Sequence, residues 1–556
     1  MGGPVTAPRP SGYTRRGGLV IRRIGEVAAA LGLAEADWDG WGPDRAKLTL
    51  DAVHGGDARG KLVLVSAITP TPAGEGKTTT AIGLVQSLVS AGQRAVVCLR
   101  EPSLGPVFGA KGGGTGGGAA RLHPAAAIDL HFTGDLHAIT SANNLLAAMV
   151  DANLFHGGPP ALHPGRVVWR RVLDVNDRAL REVVTGLGSG NGVPREAAFD
   201  ITAASEVMAA LCLASSLDDL RVRLGRMIVG FDPDGHPVTA DALGATGALT
   251  ALLVDAARPN LVQAEGGAPA LVHGGPFANI AHGCSSVLGT IAGLGRADLV
   301  VTEAGFGFDL GGEKFFDIKC RSAGLNPSLV VLVVTVRALR WHGGGAIDAA
   351  DPGAVERGLE NLAKHVDSAR AFGVPVAVAI NRRDGDEAAE RATIGAWCDA
   401  NQVPWADADP FGGSGCADLA ALVVERTRGE PPALAPLYPL DADVPAKIER
   451  IATAIYGAGS VVFSRRATAD LQRIRRVGLD RLPVCLAKTP MSLSDDPALR
   501  GRPRGFPITV QEVRINAGAG FLVGLLGEIV RMPGLPKRPN ARDIDVVDGA
   551  ITGLYK

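Results

Sequence analysis

Residues 62–80 read Leu-Val-Leu-Val-Ser-Ala-Ile-Thr-Pro-Thr-Pro-Ala-Gly-Glu-Gly-Lys-Thr-Thr-Thr, and this stretch decides the fold. Its first part, Leu62–Ile68, is a short apolar run of the kind that predicts a strand buried on both faces. The turn that follows contains glycines and leads into Thr78–Ser90, which predicts a helix. A strand, a loop with a Gly-Lys-Thr sequence and a helix, in this order, are the context of a phosphate-binding loop.

Outside this stretch, four more apolar runs predict strands of the same kind. They are Ala95–Leu99, Leu299–Val301, Leu329–Val336 and Val374–Ile380, and a predicted helix, Ala354–Phe372, precedes the last of them. Alternating strands and helices imply right-handed crossovers and a parallel sheet. The predicted fold class is therefore α/β: a P-loop-type parallel sheet domain flanked by helices, plus two smaller α/β domains. In such sheets ligands bind at the carboxyl ends of the strands.

The domain boundaries are predicted from composition. The 556 residues are enough for several domains with separate cores. A Gly-rich turn at Gly343–Gly345 and a Pro-rich stretch at Pro431–Pro445 are typical of linkers. We predict a flexible N-terminus at 1–20, a P-loop nucleotide domain at 21–342, a second α/β domain at 343–440 and a C-terminal α/β domain at 441–556.

The charge and cysteine content exclude several classes of protein. Lys and Arg number 56 and Asp and Glu number 57, so the formal net charge is -1 and nothing indicates a nucleic-acid or membrane partner. The seven cysteines contain no CxxC pair, which argues against a disulfide framework and a structural zinc site. The apolar runs fall short of the roughly 20 residues that a membrane span needs. A cytoplasmic location is expected.

The loop after the first strand has the residues that a phosphate chain requires. Gly74 and Gly76 allow backbone N–H groups to approach phosphates, Lys77 supplies a charge for the β- and γ-phosphates, and Thr78 is suited to hold Mg²⁺. The first glycine of the usual pattern is replaced by Thr71, and an ordinary helix-capping turn is the alternative interpretation. The predicted nucleotide-binding residues are Thr71, Pro72, Ala73, Gly74, Glu75, Gly76, Lys77, Thr78 and Thr79.

Arg100 directly follows the predicted strand Ala95–Leu99. If the connection is a simple crossover, this strand lies next to the first one and Arg100 lies beside the phosphate loop. A guanidinium there suits a transferred phosphoryl group or an acyl phosphate, because its N–H groups bind oxyanions in pairs. A surface arginine at the end of a strand is the alternative.

A glycine tract, Gly109–Gly118, comes next and precedes His131–Asp135. Such a tract allows either a mobile loop or a close approach of the backbone to a ligand. Its position between Arg100 and His131 favours a place in the site. His131 and His137 lack a third ligand at metal-site spacing, so hydrogen-bonding roles are expected for them rather than a transition metal.

Taken together, these segments resemble the formate–tetrahydrofolate ligase family, with similarity from about residue 20 to the C-terminus. The stretches that carry the resemblance are Thr69–Thr80, Glu101–Gly109, His131–Asp135, Phe199–Ala214, His273–Cys284, Val301–Gly307, Glu313–Arg321, Ala487–Pro497 and Met532–Lys537. The resemblance implies a three-domain subunit, a homotetramer, MgATP, tetrahydrofolate, and a monovalent cation (K⁺ or NH4⁺) whose site the sequence does not locate.

The resemblance also implies two chemical steps. Formate attacks the γ-phosphate to give formyl phosphate and ADP, and N10 of tetrahydrofolate then attacks the formyl carbon. Carried over to matching positions, Lys77 and Thr71–Thr78 hold ATP, and Arg100 clamps formyl phosphate. Glu101 and Asp135 lie near the formyl acceptor or the cation. The catalytic residues are therefore expected to be Lys77, Arg100, Glu101 and Asp135.

The departures from the family pattern fall on the acceptor side. Ala119 stands where a tyrosine is usual, and Ala125, Ala126 and Ala127 stand where Met-Glu-Asp is usual. Arg383 replaces a phenylalanine that helps to sandwich the pterin, and Asp409 replaces its tryptophan partner. Trp405 and Phe411 are close enough in sequence to substitute. The candidate acceptor pocket consists of Lys111, Gly112, Gly113, Ala119, His131, Arg383, Trp405, Asp409 and Phe411.

Three functions remain open from the sequence. The first is a formate–tetrahydrofolate ligase that grips the pterin with other side chains. The second is a paralogue that makes the acyl phosphate but formylates a different amine, because the replaced positions cluster around the acceptor. The third is a P-loop ATPase switch or an inactive scaffold, although Pro72 stands where a switch protein often has a further lysine.

Overall fold

The structure is a computed structural model that describes residues 14–16, 19–56, 60–412, 415–527 and 529–555. Most of the predicted flexible N-terminus at 1–20 lies outside the described residues. Within them, the main feature is a 12-stranded sheet, and its central strands are the predicted ones. We label these β1 (Lys61–Ala67), β2 (Ala95–Leu99), β3 (Leu299–Glu303), β4 (Pro327–Val334) and β5 (Val376–Asn381).

The described strands of this sheet form a parallel centre with an antiparallel edge. The order is Trp405–Ala408, β5, β4, β1, β3, β2, Pro269–Val272, Asn260–Ala264, Ala46–Leu48 and Trp38–Gly40. Ala120–His123 also pairs with Asn260–Ala264, and Gly116–Gly117 pairs with Ala120–His123. Every pair from Trp405–Ala408 to Pro269–Val272 is parallel. The predicted α/β fold class is confirmed.

The apolar runs are continuous because both faces of the sheet are covered. In β1, Leu62 and Leu64 belong to one buried cluster and Val63 and Val65 to another, so alternate side chains enter cores on opposite faces. The helices that follow or connect these strands are α1 (Lys77–Ser90), Val287–Arg296, Val336–His342, Pro352–Arg370, Ala388–Ala400 and Ala417–Arg426.

One expectation about strand order is wrong. β2 does not lie next to β1, because β3 pairs in parallel with both of them and separates them. Sequential strands of α/β sheets are neighbours only about two-thirds of the time, and a later strand can enter between them. The carboxyl end of β3 therefore lies between the phosphate loop and Arg100.

Two further units pack around the sheet. A helical unit with a core of its own contains Asp135–His156, Glu206–Leu213, Leu217–Arg226 and Thr246–Leu253. A second sheet has the order Ser460–Phe463, Pro507–Asn516, Phe521–Leu526 and Val484–Ala487. The predicted domain 343–440 contributes β5 and Trp405–Ala408 to the main sheet, so this sheet runs across the predicted boundary. No helix in the described part is long and apolar enough to cross a membrane.

Candidate functional site

The segment Thr71–Thr78, which the sequence predicts to be a phosphate loop and which keeps that name below, lies between β1 and the first turn of α1 at the carboxyl edge of the main sheet. Gly74 N donates to Thr71 O at 3.0 Å and closes a turn, and α1 begins at Lys77. Gly74 and Gly76 both have positive φ, of 74° and 75°. The first N–H groups of a helix have no partner within the helix, so the start of α1 favours a bound anion.

Glu75 anchors this loop to the neighbouring strands. Its Oε1 accepts from Thr71 N at 2.8 Å and from Thr71 Oγ1 at 3.0 Å, and its Oε2 accepts from Thr335 Oγ1 at 2.5 Å. Its carbonyl oxygen accepts from Asn381 Nδ2 at 2.8 Å. Thr335 follows β4 and Asn381 ends β5, so the ends of two neighbouring strands hold the loop that follows β1.

Gly76 is tightly enclosed and Gly74 is not. A Cβ on Gly76 would lie 2.5 Å from Asn381 Nδ2 and 2.7 Å from Arg383 Nη2, whereas a Cβ on Gly74 would meet nothing within 4 Å. The two glycines therefore share the left-handed backbone conformation but differ in the space around them.

We expect Gly76→Ala to weaken MgADP binding by about tenfold or more, because displacing well-packed neighbours costs about 1–3 kcal/mol. Gly74→Ala is the matched comparison: both variants add a backbone cost of about 1–2 kcal/mol at positive φ, but only Gly76→Ala adds the clash. Isothermal titration calorimetry measures the two affinities. Equal losses in both variants would show that the enclosure of Gly76 is not important.

Glu303, the last residue of β3, joins the two parts of the predicted site. Its Oε2 accepts from Thr78 Oγ1 at 2.8 Å and its Oε1 accepts from Arg100 Nη2 at 3.1 Å. Arg100 thus lies beside the phosphate loop, as expected, but through this carboxylate rather than by strand adjacency. Sequence reasoning did not single out Glu303. The available signal was an acidic residue at the end of an apolar run, in the stretch Val301–Gly307.

Two lysines and Arg100 face the same region. Burial is the main cause that lowers the pKa of Lys77; Glu303 and Glu75 oppose the shift, and Arg100 and Lys111 add to it. Burial, followed by the charge of Arg100, also lowers the pKa of Lys111. Three cationic side chains against the two carboxylates of Glu303 and Glu75 leave net positive charge, which is suited to a polyanionic ligand.

Phe306 supports this group from the loop after β3. The Nζ of Lys111 lies 4.7 Å from the centre of the Phe306 ring, and Phe306 has φ of 60°. A bulky residue in the left-handed region is costly, and such residues occur where the surrounding structure imposes them, often at functional sites.

Glu101 and Asp135 are brought together in a buried acidic pair. Burial, and then the charge of Asp135, raises the pKa of Glu101 well above the usual range, while Lys47 opposes the shift. Oε2 of Glu101 has no partner among the described residues. Asp135 is held by Lys47 Nζ at 2.7 Å and by Asn260 Nδ2 at 2.8 Å. Sequence reasoning missed Lys47, which is fully buried.

Three candidate acceptor residues lie together. The carbonyl oxygen of Phe411 accepts from Ala119 N at 3.1 Å, and the Phe411 ring lies 3.2 Å from the position of a Cβ on Gly117. The guanidinium of Arg383 lies over this ring, 5.6 Å from its centre. Asp409 begins the same turn, and its Oδ1 accepts from Gly412 N at 2.8 Å.

The other candidate acceptor residues are more dispersed. Trp405 packs against Gly395 and donates from Nε1 to Asp399 Oδ1 at 2.8 Å, which places it at the opposite end of its strand from Phe411. His131 is exposed. Gly112 has a positive φ and open space, and the backbone at Gly113 lies against the Asp129 carboxylate.

The chain was also compared with known proteins. The family profile described as formate–tetrahydrofolate ligase matches residues 18–555. A formate–tetrahydrofolate ligase of Myxococcus xanthus (strain DK1622) is 55% identical over 549 residues, covering 97% of this chain and 100% of the relative. Enzymes with the same name from Acidiphilium cryptum (strain JF-5) and Paracoccus denitrificans (strain Pd 1222) are 53% and 52% identical, each covering 96% of this chain and 98% and 97% of the relative.

Proposed function

Because the chain belongs to the formate–tetrahydrofolate ligase family, we propose that it joins formate to N10 of tetrahydrofolate while MgATP is converted to ADP and phosphate, with the phosphoryl group passing through formate. The enzyme class, an ATP-dependent ligase, follows from the family. The observation that carries the proposal is the assembly of Lys77, Thr78, Glu303 and Arg100 at the phosphate loop.

The nucleotide would bind with its phosphates on the loop Thr71–Thr78. The free N–H groups at the start of α1 and the ammonium of Lys77 supply positive potential there. Magnesium fits the donor set, because Mg²⁺ prefers oxygen ligands and the Thr78 hydroxyl and the Glu303 carboxylate are oxygens beside the loop. When bound with ATP, Mg²⁺ neutralises charge on the phosphate oxygens.

The first chemical step would be phosphoryl transfer to formate. A formate oxygen bonds to the γ-phosphorus as the bond to the β–γ bridging oxygen breaks, giving formyl phosphate and ADP. Arg100 and Lys77 would lie beside the transferred phosphoryl group. Cations that are already fixed there stabilise the negative charge of the transition state without any rearrangement of the site. Glu303 holds the Arg100 guanidinium in place before substrate arrives.

The second step would be attack of N10 on the formyl carbon, with loss of phosphate and of the N10 proton. Glu101 lies next to Arg100 in the chain, and its unpartnered Oε2 is available to receive a proton. The raised pKa of Glu101 makes its carboxylate form a stronger base and lowers the fraction of the enzyme that carries this form at a given pH. Asp135 is positioned by Lys47, and its negative charge contributes to the raised pKa of Glu101.

The proposal is tested by measuring ADP release from MgATP with and without formate, and with and without tetrahydrofolate, while formyltetrahydrofolate is followed by absorbance after acid conversion. We expect ADP release that requires formate and matches the formylated folate produced. Hydroxylamine should trap a formyl group when folate is omitted. ADP release without formate would contradict the ligase proposal, and trapped formyl groups without any response to folate would replace tetrahydrofolate by another amine.

A further inference from the structure

Arg383 has a guanidinium that faces the phosphate loop without an anionic partner. It lies on the loop after β5, and its backbone N donates to Asp386 Oδ2 at 2.8 Å. Among the residues that the structure describes, its guanidinium forms no hydrogen bond or ion pair. It lies over the Phe411 ring and beside the backbone of Gly76. The side chain of Arg383 is half-buried beside the phosphate loop, and a guanidinium bonds oxyanions in pairs, so its unpaired N–H groups are available to an anion on the loop.

The position of Arg383 is determined by three neighbours. The guanidinium carbon lies 5.6 Å from the centre of the Phe411 ring, which holds the planar group by a cation–π contact. Its Nη2 lies 2.7 Å from the position of a Cβ on Gly76, so only a glycine leaves room for it. Asn381, two residues earlier, bonds the Glu75 carbonyl and fixes the loop after β5 to the phosphate loop.

The sheet order places Arg383 opposite Arg100. Arg383 follows β5 and Arg100 follows β2, and these strands lie on opposite sides of β1, which carries the phosphate loop. Arg100 is already paired with Glu303, whereas Arg383 is not. A phosphate oxygen on the β5 side of the loop would therefore be closer to the guanidinium of Arg383 than to that of Arg100.

We propose that Arg383 is a phosphate-contact residue for the bound nucleotide and closes the phosphate loop on the side opposite Arg100. This inference rests on the proposed nucleotide site. The alternative role, contact with the formyl acceptor through the Arg383–Phe411 stack, would make Arg383 a determinant of acceptor affinity instead. The two roles differ in which substrate loses affinity when the guanidinium is removed.

The test is the affinity for MgADP by isothermal titration calorimetry, together with the KM values for ATP and tetrahydrofolate, in Arg383→Ala. We expect MgADP binding to weaken and the KM for ATP to rise by about 10- to 100-fold, the range of a charge-assisted hydrogen bond. The KM for tetrahydrofolate should change by less than about threefold, within the usual non-additivity of neighbouring contacts. Arg383→Lys keeps the positive charge but lacks the paired N–H groups of a guanidinium, so it should weaken MgADP binding less than Arg383→Ala does.

Arg382→Ala is the matched control, since Arg382 is exposed and next in the chain, and it should bind MgADP like the unaltered protein. Unchanged MgADP affinity in Arg383→Ala, or a rise in the KM for tetrahydrofolate alone, would overturn the inference. Lys77→Ala separates this from failure of the proposed function: if the unaltered protein binds MgADP and Lys77→Ala does not, the nucleotide site stands whatever Arg383 does.

Discussion

We expect Arg100→Ala to lower formate-dependent ADP release by about 10³-fold while MgADP affinity changes by less than about threefold. An arginine that stabilises the charge of a transferred phosphoryl group contributes to the transition state far more than to nucleotide binding. Arg100 donates from Nη2 to the Glu303 carboxylate at 3.1 Å, and this carboxylate in turn accepts from Thr78 of the phosphate loop. The measurement is single-turnover ADP release with saturating MgATP and formate, beside calorimetric binding of MgADP.

Two further variants separate catalysis from stability in this experiment. Arg100→Lys keeps the positive charge near Glu303 but cannot bond two oxygens in a plane, so an intermediate rate is expected. Arg94→Ala removes an exposed arginine from the other end of β2 and should match the unaltered protein. Formate-dependent ADP release at the normal rate in Arg100→Ala would refute the role of Arg100 in phosphoryl transfer.

We expect Glu303→Gln to lower kcat by about 10²-fold, as removal of one preorganised polar group does in other active sites. The amide cannot accept charge-assisted hydrogen bonds from both Thr78 and Arg100, so both groups lose their fixed positions. The same substitution should change the pH dependence of kcat/KM for ATP, which reports on groups of the free enzyme.

The sign of the pH effect follows from Lys77. Its ammonium form binds phosphate, so kcat/KM falls as pH rises through the Lys77 pKa, which burial places below the ordinary lysine range. Glu303 raises this pKa, and its neutralisation therefore moves the alkaline fall to lower pH. Asp298→Asn, an exposed change just before β3, should leave the profile unchanged. An identical alkaline fall in Glu303→Gln would show that the two groups are not coupled.

The candidate acceptor residues are less closely grouped in the structure than the residues of the phosphate loop. The segment Thr71–Thr78 lies between β1 and the first turn of α1, and hydrogen bonds of Glu75 with Thr71 and Thr335 and of Asn381 with the Glu75 carbonyl hold it. On the acceptor side, Ala119, Arg383 and Phe411 come together, but Trp405 packs against Gly395 instead. Trp405 begins its strand and Phe411 follows the other end of it, so the two aromatic residues have different surroundings although both are close to Asp409 in the sequence.

The sequence by itself determined the local features of this protein. Apolar runs buried on both faces predicted β1 to β5 within a few residues, and the Gly-Lys-Thr segment predicted a turn between a strand and a helix, as found between β1 and α1. These features depend on residues close together in the chain, whose hydrophobicity and backbone preferences act over a few residues. The family resemblance, carried by such motifs, was confirmed by the comparisons.

The tertiary structure decided which strand ends meet. Insertion of β3 between β1 and β2 brought Glu303 to Thr78 and Arg100, and the packing of distant segments brought Lys47 to Asp135 and Arg383 to Gly76. These contacts join residues far apart in the chain. Their geometry results from the strand order and register of the whole sheet. The packing of the cores on both faces selects this order and register, and a pattern of neighbouring residues does not specify them.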